Sequence, residues 1–167
     1  MPLAPVDDNG TQLFYKDSGK TPSGRVLICL HGLSFNGTTF SKMIELAPSE
    51  DVRVIAVNRR SYRHSTPLSE EETAGIDKAE PTEEDYRSFM AKRAKEIARL
   101  LVWLSENEDV TGDFALVAWS LGNQTLSSFL AEADTLSEKE RTVIEKRLRS
   151  IIFYGKSLVS KLIPVLT

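Results

Sequence analysis

The sequence predicts an α/β fold in which a mostly parallel sheet is flanked by helices. Four apolar runs have the length of strands, at residues 26–30, 52–57, 114–119 and 151–154. Continuous apolar runs are typical of strands that are buried on both faces of a parallel sheet. Segments with helical spacing separate these runs, and such alternation favours a parallel sheet. The 167 residues, 41% of them hydrophobic, suffice for one domain with its own core.

The first part of the chain adds one more strand and a helix. Alternating polar and apolar residues predict an outer strand over 11–17. A helix capped by Thr38 or Thr39 is predicted to run to about Ala47. The polar segment 66–81 is expected to form a surface loop.

Two capping boxes mark later helices, because an acid three residues after a capping hydroxyl bonds back to the amide of the cap. Thr82 and Asp85 begin a helix over 84–104, and Ser137 and Glu140 open a charged helix. The apolar residues of the longer helix form one stripe: Met90, Ala94, Ile97, Leu101 and Leu104. Its charged residues occupy the other faces: Lys92, Arg93, Lys95, Glu96 and Arg99. We interpret this helix as a crossover between two strands, with Met90 filling the core.

A serine lies directly between the third apolar run and the next helical segment. The pentapeptide Ala118-Trp119-Ser120-Leu121-Gly122 resembles the G-x-S-x-G nucleophile elbow of the α/β-hydrolases, serine-nucleophile branch. An alanine replaces the first glycine, so a small residue still flanks the turn. The resemblance implies that Ser120 is the nucleophile, that the Leu121 amide is an oxyanion-hole donor, and that Gly122 supports the turn.

A second resemblance follows the first apolar run. His31, Gly32 and Leu33 come directly after that strand, where the α/β-hydrolases place the other oxyanion-hole amide. By position, that donor would be the backbone amide of Leu33, with Ser34 as the next choice. The resemblance implies that His31 and Gly32 support the loop, and that His31 is not the catalytic base.

The loop after the second run, 58–65, is similar to the family motif Asp-x-Arg-Gly-x-Gly-x-Ser. Asn58 replaces the acid, and Ser61 and Arg63 replace the two glycines. A loop that used a positive φ at those glycines must strain or change shape here. The loop also carries a basic cluster: Arg59, Arg60, Arg63 and His64. We interpret this cluster as a solvated loop in preference to an anion site.

The triad expected from the family is incomplete in this sequence. The family order is Ser, then Asp or Glu, then His, but no histidine follows Ser120, and the last carboxylate is Glu145. We therefore expect residues 1–167 to form a single, incomplete domain, an α/β-hydrolase-like core truncated after about the sixth strand. His64 is the alternative base, with His31 as the other choice. Without a base, a residual acceleration of roughly 10³–10⁴ remains from the oxyanion hole and binding.

Two functions stay open from the sequence. The first is a serine hydrolase that acts on an ester or related acyl substrate, a small molecule, without a metal or cofactor. The second is a non-catalytic protein of this fold that binds a small ligand or a partner. A nucleotide-binding domain is disfavoured, because no Gly-x-Gly-x-x-Gly or Walker-type loop follows a strand.

The amino-acid composition limits the kinds of partner that the protein is expected to bind. The net charge of −3 gives no support for nucleic-acid binding, and no apolar window is long enough for a membrane span. The single cysteine, Cys29, excludes an internal disulfide and reads as a small buried hydrophobe, so we expect a cytoplasmic protein. The strand near Ile151 is expected to leave an unpaired edge, which predicts self-association.

Overall fold

The structure is a computed structural model that describes residues 2–108 and 110–155. The described residues form a six-stranded mixed sheet with the strand order β1-β2-β4-β3-β5-β6. The strands are β1 (Leu3–Pro5), β2 (Gln12–Asp17), β3 (Val26–Leu30), β4 (Arg53–Val57), β5 (Phe114–Trp119) and β6 (Leu148–Tyr154). Strands β3 to β6 run parallel to one another, whereas β1 and β2 pair in antiparallel fashion. The predicted α/β fold with a mostly parallel sheet is confirmed.

Five α-helices connect the strands of the described chain. They are α1 (Ser41–Leu46), α2 (Glu70–Thr73), α3 (Glu83–Asn107), α4 (Gly122–Ala131) and α5 (Glu138–Arg147). Short 3₁₀ turns lie at Gly37–Phe40, Ala47–Glu50 and Ala133–Thr135. Both predicted capping boxes are present, at the starts of α3 and α5. None of the helices in this part of the chain is long and apolar enough to cross a lipid bilayer.

Two local predictions at the start of the chain are wrong. The strand predicted to be the outer one is β2, but the shorter β1 pairs with its free side and is the edge strand of the sheet. The cap of the first helical segment is Asn36, whose side chain accepts a hydrogen bond from the Thr38 amide and starts a 3₁₀ turn before α1. An Asx cap of this kind competes well with a threonine cap two or three residues later.

The two faces of the sheet are covered unequally. The larger core lies between the sheet and the apolar stripe of α3, with Leu126 and Phe129 of α4. The smaller core surrounds Cys29 and Phe40, with Trp119 and other partly buried residues at its margin. β5 therefore alternates between buried and half-buried residues, and the prediction that it is buried on both faces is wrong. Burial raises the pKa of the Cys29 thiol to about 12, consistent with a small core residue.

Strand β6 lies at one end of the described sheet and pairs with β5. Its last three residues are well exposed, with Ile152 at 46%, Phe153 at 48% and Tyr154 at 66%, whereas Leu148 and Ile151 pack against the larger core. Self-association through this edge remains a prediction. The carboxyl ends of β3, β4, β5 and β6 meet at the same edge of the sheet, which is where open α/β sheets place their sites.

Candidate functional site

Ser120 occupies a strained turn between β5 and α4. Its φ angle is +53°, in the left-handed region that non-glycine residues adopt at a cost of about 1–2 kcal/mol. The turn is held on both sides, because the Ser120 amide donates to the carbonyl of Tyr154 in β6 (3.0 Å) and the Ser120 carbonyl accepts from the Asn123 amide (3.0 Å). The Asn123 side chain donates to the Tyr154 and Gly155 carbonyls as well. Strain that the surroundings maintain in this way is typical of functional turns.

Gly122 allows the first turn of α4 to approach β3 closely. A Cβ atom at Gly122 would lie 2.8 Å from the Leu30 carbonyl oxygen and 2.9 Å from the His31 carbonyl oxygen. Those distances are too short for any side chain, so only glycine fits. The helix thus begins directly over the end of β3.

Gly32 brings the loop after β3 against the serine. A Cβ atom at Gly32 would lie 3.2 Å from the Cβ atom of Ser120 and 3.4 Å from the Trp119 ring. The fold therefore brings together Gly32, Ser120 and Gly122, which the sequence places in two segments almost 90 residues apart.

The peptide groups of this loop are oriented by three side chains. The Gly32 carbonyl accepts from His31 Nδ1 (2.7 Å) and Arg59 Nη2 (3.0 Å), and the Leu33 carbonyl accepts from the Tyr62 hydroxyl. In a trans peptide the N–H points opposite to the C=O. Fixing the Gly32 carbonyl therefore also fixes the direction of the Leu33 N–H. Within the described residues, the amides of Leu33 and Leu121 and the Ser120 hydroxyl have no hydrogen-bond partner.

His31 is fully buried and both of its ring nitrogens are engaged. Nε2 accepts from the Arg59 backbone amide (3.1 Å), so Nδ1 carries the proton that it donates to Gly32. The Tyr62 ring packs edge-on at 4.3 Å between centroids. Burial lowers the pKa of His31 to about 4, so the ring is neutral near pH 7. Neither nitrogen is available to take a proton from Ser120.

His64 lies away from the serine. Its residue is exposed, and its ring packs at a tilt against Phe14 of β2, with 5.1 Å between centroids. β2 lies three strand positions from β5, a separation of roughly 14 Å at the usual strand spacing. The structure thus does not bring His64 to Ser120, and neither histidine is placed as a base for it.

The loop after β4 keeps one left-handed residue where the family has a glycine. Ser61 has a φ of +64°, and a second positive φ of +72° falls at His64 and not at Arg63. The loop therefore both strains and changes shape. The Ser61 hydroxyl accepts from the Leu68 amide (2.9 Å), and buried Asn58 joins the Gly37 amide (2.7 Å) to the Arg63 carbonyl (2.7 Å).

The interpretation of the basic cluster as a solvated loop is wrong for Arg60, which is only 5% exposed. Its guanidinium pairs with Glu72 of α2 (2.6 Å) and Glu96 of α3 (3.0 Å). Arg93 of α3 pairs with the same two carboxylates, at 2.9 Å each. Arg93 and Glu96 are thus buried and not on an outer face of the helix. This cluster could not be predicted from sequence patterns, because its members lie in three separate segments.

The two carboxylates of the cluster titrate differently. Burial raises the pKa of Glu96 to about 6, although Arg93 and Arg60 oppose the shift. Burial also acts on Glu72, but hydrogen bonds from Arg60 and from the Ser69 amide dominate and lower its pKa to about 2. Both carboxylates are therefore mainly ionised at pH 7.

A cavity of about 600 Å³ opens beside the serine turn. Leu121, directly before α4, and Gln124 of α4 form one wall, and Arg59 and Tyr62 of the loop after β4 form another. The remaining lining comes from β2, the segment before α3, and α3 itself, including Met90. Met90 is therefore a cavity residue and not core filler. Ser120 is the neighbour of a lining residue, Leu121, but does not itself line the cavity.

No group of three or more His, Cys, Asp or Glu side chains that could hold a metal ion occurs among the described residues. The polar atoms at the serine turn are a hydroxyl and peptide N–H groups. Such groups suit acyl chemistry, in which the hydroxyl attacks a carbonyl carbon and the N–H groups receive the negative oxygen.

No family model matches the sequence. The chain is 35% identical over 68 residues to the non-heme chloroperoxidase CPO-A1 of Kitasatospora aureofaciens. This match covers 41% of the chain and 23% of the relative.

Solved structures match over a much larger part of the chain. An esterase from Exiguobacterium antarcticum superposes with a TM-score of 0.56 at 18% identity, covering 90% of this chain and 43% of its own. A bromoperoxidase from Bacillus anthracis gives 0.57 at 17% identity, covering 91% and 43%. A laboratory-evolved potato epoxide hydrolase gives 0.60 at 14% identity, covering 91% and 38%. At these identities the likeness shows the fold, and the chain spans less than half the length of each of these proteins.

Proposed function

We propose that this chain, which has the fold of the amino-terminal part of α/β-hydrolases, carries the nucleophile and the oxyanion hole of a serine hydrolase. The substrate would be a small ester or related acyl compound. The nucleophile would be Ser120, and the oxyanion donors would be the backbone amides of Leu33 and Leu121.

One observation carries the proposal, namely the strained turn that leaves the Ser120 hydroxyl unpaired beside Gly32. A φ of +53° at a serine has to be maintained by its neighbours, here by β6 and by Asn123. A structural serine would be expected to use its hydroxyl in a hydrogen bond, as Ser61 does. The chain's similarity in fold to an esterase agrees with this interpretation.

The proposed chemistry is acyl transfer to the serine. The Ser120 oxygen bonds to the acyl carbon, the carbonyl electron pair moves to its oxygen, and collapse of that intermediate breaks the bond to the leaving group. The leaving oxygen takes a proton, while the Ser120 proton passes to a base. The amides of Leu33 and Leu121 stabilise the oxyanion, helped by the positive end of α4.

None of the described histidines is positioned to act as the base that takes the Ser120 proton. His31 is buried and engaged, and the His64 ring packs against Phe14 of β2, away from Ser120. We therefore expect acylation of this chain to be slow and turnover to be minimal, because a base typically contributes a factor of about 10²–10⁴.

A second candidate function is ligand binding without catalysis. The cavity of about 600 Å³ beside α4 favours it, since cavities of this size accommodate small organic ligands. In that case the strained turn would persist only as part of the fold.

A fluorophosphonate probe distinguishes the two functions, because it forms a covalent bond with activated serines. We expect the wild-type chain to be labelled slowly, because the described residues place no base for Ser120, and Ser120→Ala not to be labelled. Ser61→Ala, a serine that also has a positive φ, and Ser127→Ala, an exposed serine of α4, are the controls and should be labelled like the wild type. Equal labelling of Ser120→Ala, or no labelling of any form, would favour the non-catalytic function.

A further inference from the structure

We infer that the cavity beside α4 binds acyl compounds that carry a separate carboxylate, and that Arg59 recognises this carboxylate. The inference deepens the proposed function, because it names the substrate class for the same site. It rests on the charges, burial and hydrogen bonds of the cavity wall.

The positive and negative charges at the cavity are unequal in number. Three guanidinium groups, those of Arg59, Arg60 and Arg93, meet two carboxylates, those of Glu72 and Glu96. Both carboxylates are engaged by Arg60 and Arg93, so one positive charge is left. That charge belongs to Arg59.

Arg59 has only neutral partners among the described residues. Its Nη2 donates to the Gly32 carbonyl (3.0 Å) and the Tyr62 hydroxyl (3.2 Å), and its guanidinium lies 5.0 Å from the centre of the Tyr62 ring. Its Nε is buried and has no acceptor. Burial lowers the pKa of Arg59, which indicates that the cation is poorly solvated. Arg59 is half-buried, and a cation that has lost much of its hydration is costly unless an anion accompanies it. The residue therefore favours an anionic ligand.

A second arginine at the cavity also has unused donors. Nε and Nη1 of Arg93 are buried without acceptors, while Nη2 holds Glu72 and Glu96. A carboxylate that reaches Arg59 or Arg93, after a modest rotation of the guanidinium, would accept these N–H groups. Arginine is suited to this because its planar fork matches the two carboxylate oxygens.

The rest of the lining indicates the other half of the ligand. It is mainly apolar and includes Leu68, Ile76, Tyr86, Phe89 and Met90. The ligand expected here thus has an apolar body and one carboxylate. A neutral ligand would fill the apolar part but leave the Arg59 charge without a partner.

The test compares 4-phenylbutanoate with its neutral analogue 4-phenylbutanamide, by isothermal titration calorimetry. The parent protein is Ser120→Ala, so that the result does not depend on acylation and a failure of the proposed nucleophile leaves it unaffected. Arg59→Met removes the charge, and Arg63→Met is the matched control, because Arg63 lies exposed in the same loop. Arg59→Gln is a second variant that keeps a donor near Gly32.

The readout is the ratio of the two dissociation constants. If an Arg59 substitution loosens the Gly32 loop, both compounds should bind more weakly by the same factor. Loss of the charge should instead change the ratio of the two dissociation constants. We expect the carboxylate to bind about tenfold more tightly or better in the parent and in Arg63→Met. The ratio should fall to near one in Arg59→Met and Arg59→Gln. A ratio near one in the parent, an unchanged ratio in both Arg59 variants, or no saturable binding of either compound up to about 10 mM would overturn the inference.

Discussion

Among the described residues, Ser61 and Ser120 are the two serines in the left-handed conformation, and they use their hydroxyls differently. Ser61 has a φ of +64° in the loop after β4, and its hydroxyl accepts a hydrogen bond from the Leu68 amide. Ser120 has a φ of +53° at the end of β5, and its hydroxyl has no partner among the described residues. Both pay a similar conformational cost.

The difference shows that strain alone does not mark a functional residue. At Ser61 the strain is offset locally, because the hydroxyl stabilises the loop that carries it. At Ser120 it is maintained by neighbouring elements, namely β6, Asn123 and the close approach of Gly32. What distinguishes Ser120 from Ser61 is therefore that its strained turn leaves the hydroxyl, and the nearby amides of Leu33 and Leu121, without hydrogen-bond partners among the described residues.

The largest loss of unfolding free energy is expected when the close contact between Gly122 of α4 and the end of β3, which supports the Ser120 turn, is disrupted. In Gly122→Ala the new Cβ atom would lie 2.8 Å from the Leu30 carbonyl oxygen, so α4 must move away from β3. Overpacking of this kind typically costs about 1–3 kcal/mol of unfolding free energy, and we expect a value at the upper end. Urea denaturation measures it.

Gly75→Ala is the matched control for this substitution. A Cβ atom there would lie 3.3 Å from a side-chain oxygen of Asp85, so a shift of a few tenths of an ångström suffices, and no backbone atom is as close. The control should lose less than about 1 kcal/mol, as expected for glycine replaced without a backbone clash. Equal losses in the two variants would contradict the close α4–β3 contact.

The next largest loss of stability is expected in the region around Ser61, where Arg60 forms buried ion pairs. Because the folded-state pKa of Glu72 is lowered to about 2, its stabilising contribution is present above its unfolded pKa of 4.5 and is lost as the pH falls from there toward 2. Glu72→Gln should therefore destabilise the protein at pH 7, and the difference from wild type should shrink between about pH 4.5 and pH 2. The measurement is urea denaturation across this range, with exposed Glu71→Gln as the control. A difference that does not change with pH would exclude this role for Glu72.

The smallest effect separates the two strained serines directly. Replacing either serine by glycine relieves strain, but Ser61→Gly also loses the hydrogen bond to the Leu68 amide, worth about 1 kcal/mol. We expect Ser120→Gly to be more stable than Ser61→Gly by about that amount, relative to wild type in each case. Equal unfolding free energies for the two variants would show that the Ser120 hydroxyl also has a structural partner.

The fold could be predicted from the sequence because its strands are strongly apolar and its helices carry capping boxes. The runs at 26–30 and 114–119 coincide with β3 and β5, and the capping boxes at Thr82 and Ser137 start α3 and α5. β1 has only three residues, too few for a periodic pattern, so it was not predicted.

The candidate site was predictable only where its residues are contiguous. The segments around Ser120 and Gly32 each form a short motif, and the fold brings them into contact. The ion pairs of Arg60 were not predictable, since Glu72 and Glu96 lie 12 and 36 residues further along the chain. The cavity was missed for the same reason, because its walls come from separate elements.

We propose that the turn after β5 presents the Ser120 hydroxyl to the amides of Leu33 and Leu121. A crystal structure of the chain treated with phenylboronic acid tests it most directly, because a serine adduct of boron has the tetrahedral shape of the acyl-transfer intermediate. We predict a bond between boron and Ser120 Oγ, with one boronate oxygen about 2.7–3.1 Å from both amide nitrogens. Boron attached to another residue, or a Ser120 adduct whose oxygens lie away from both amides, would contradict the account.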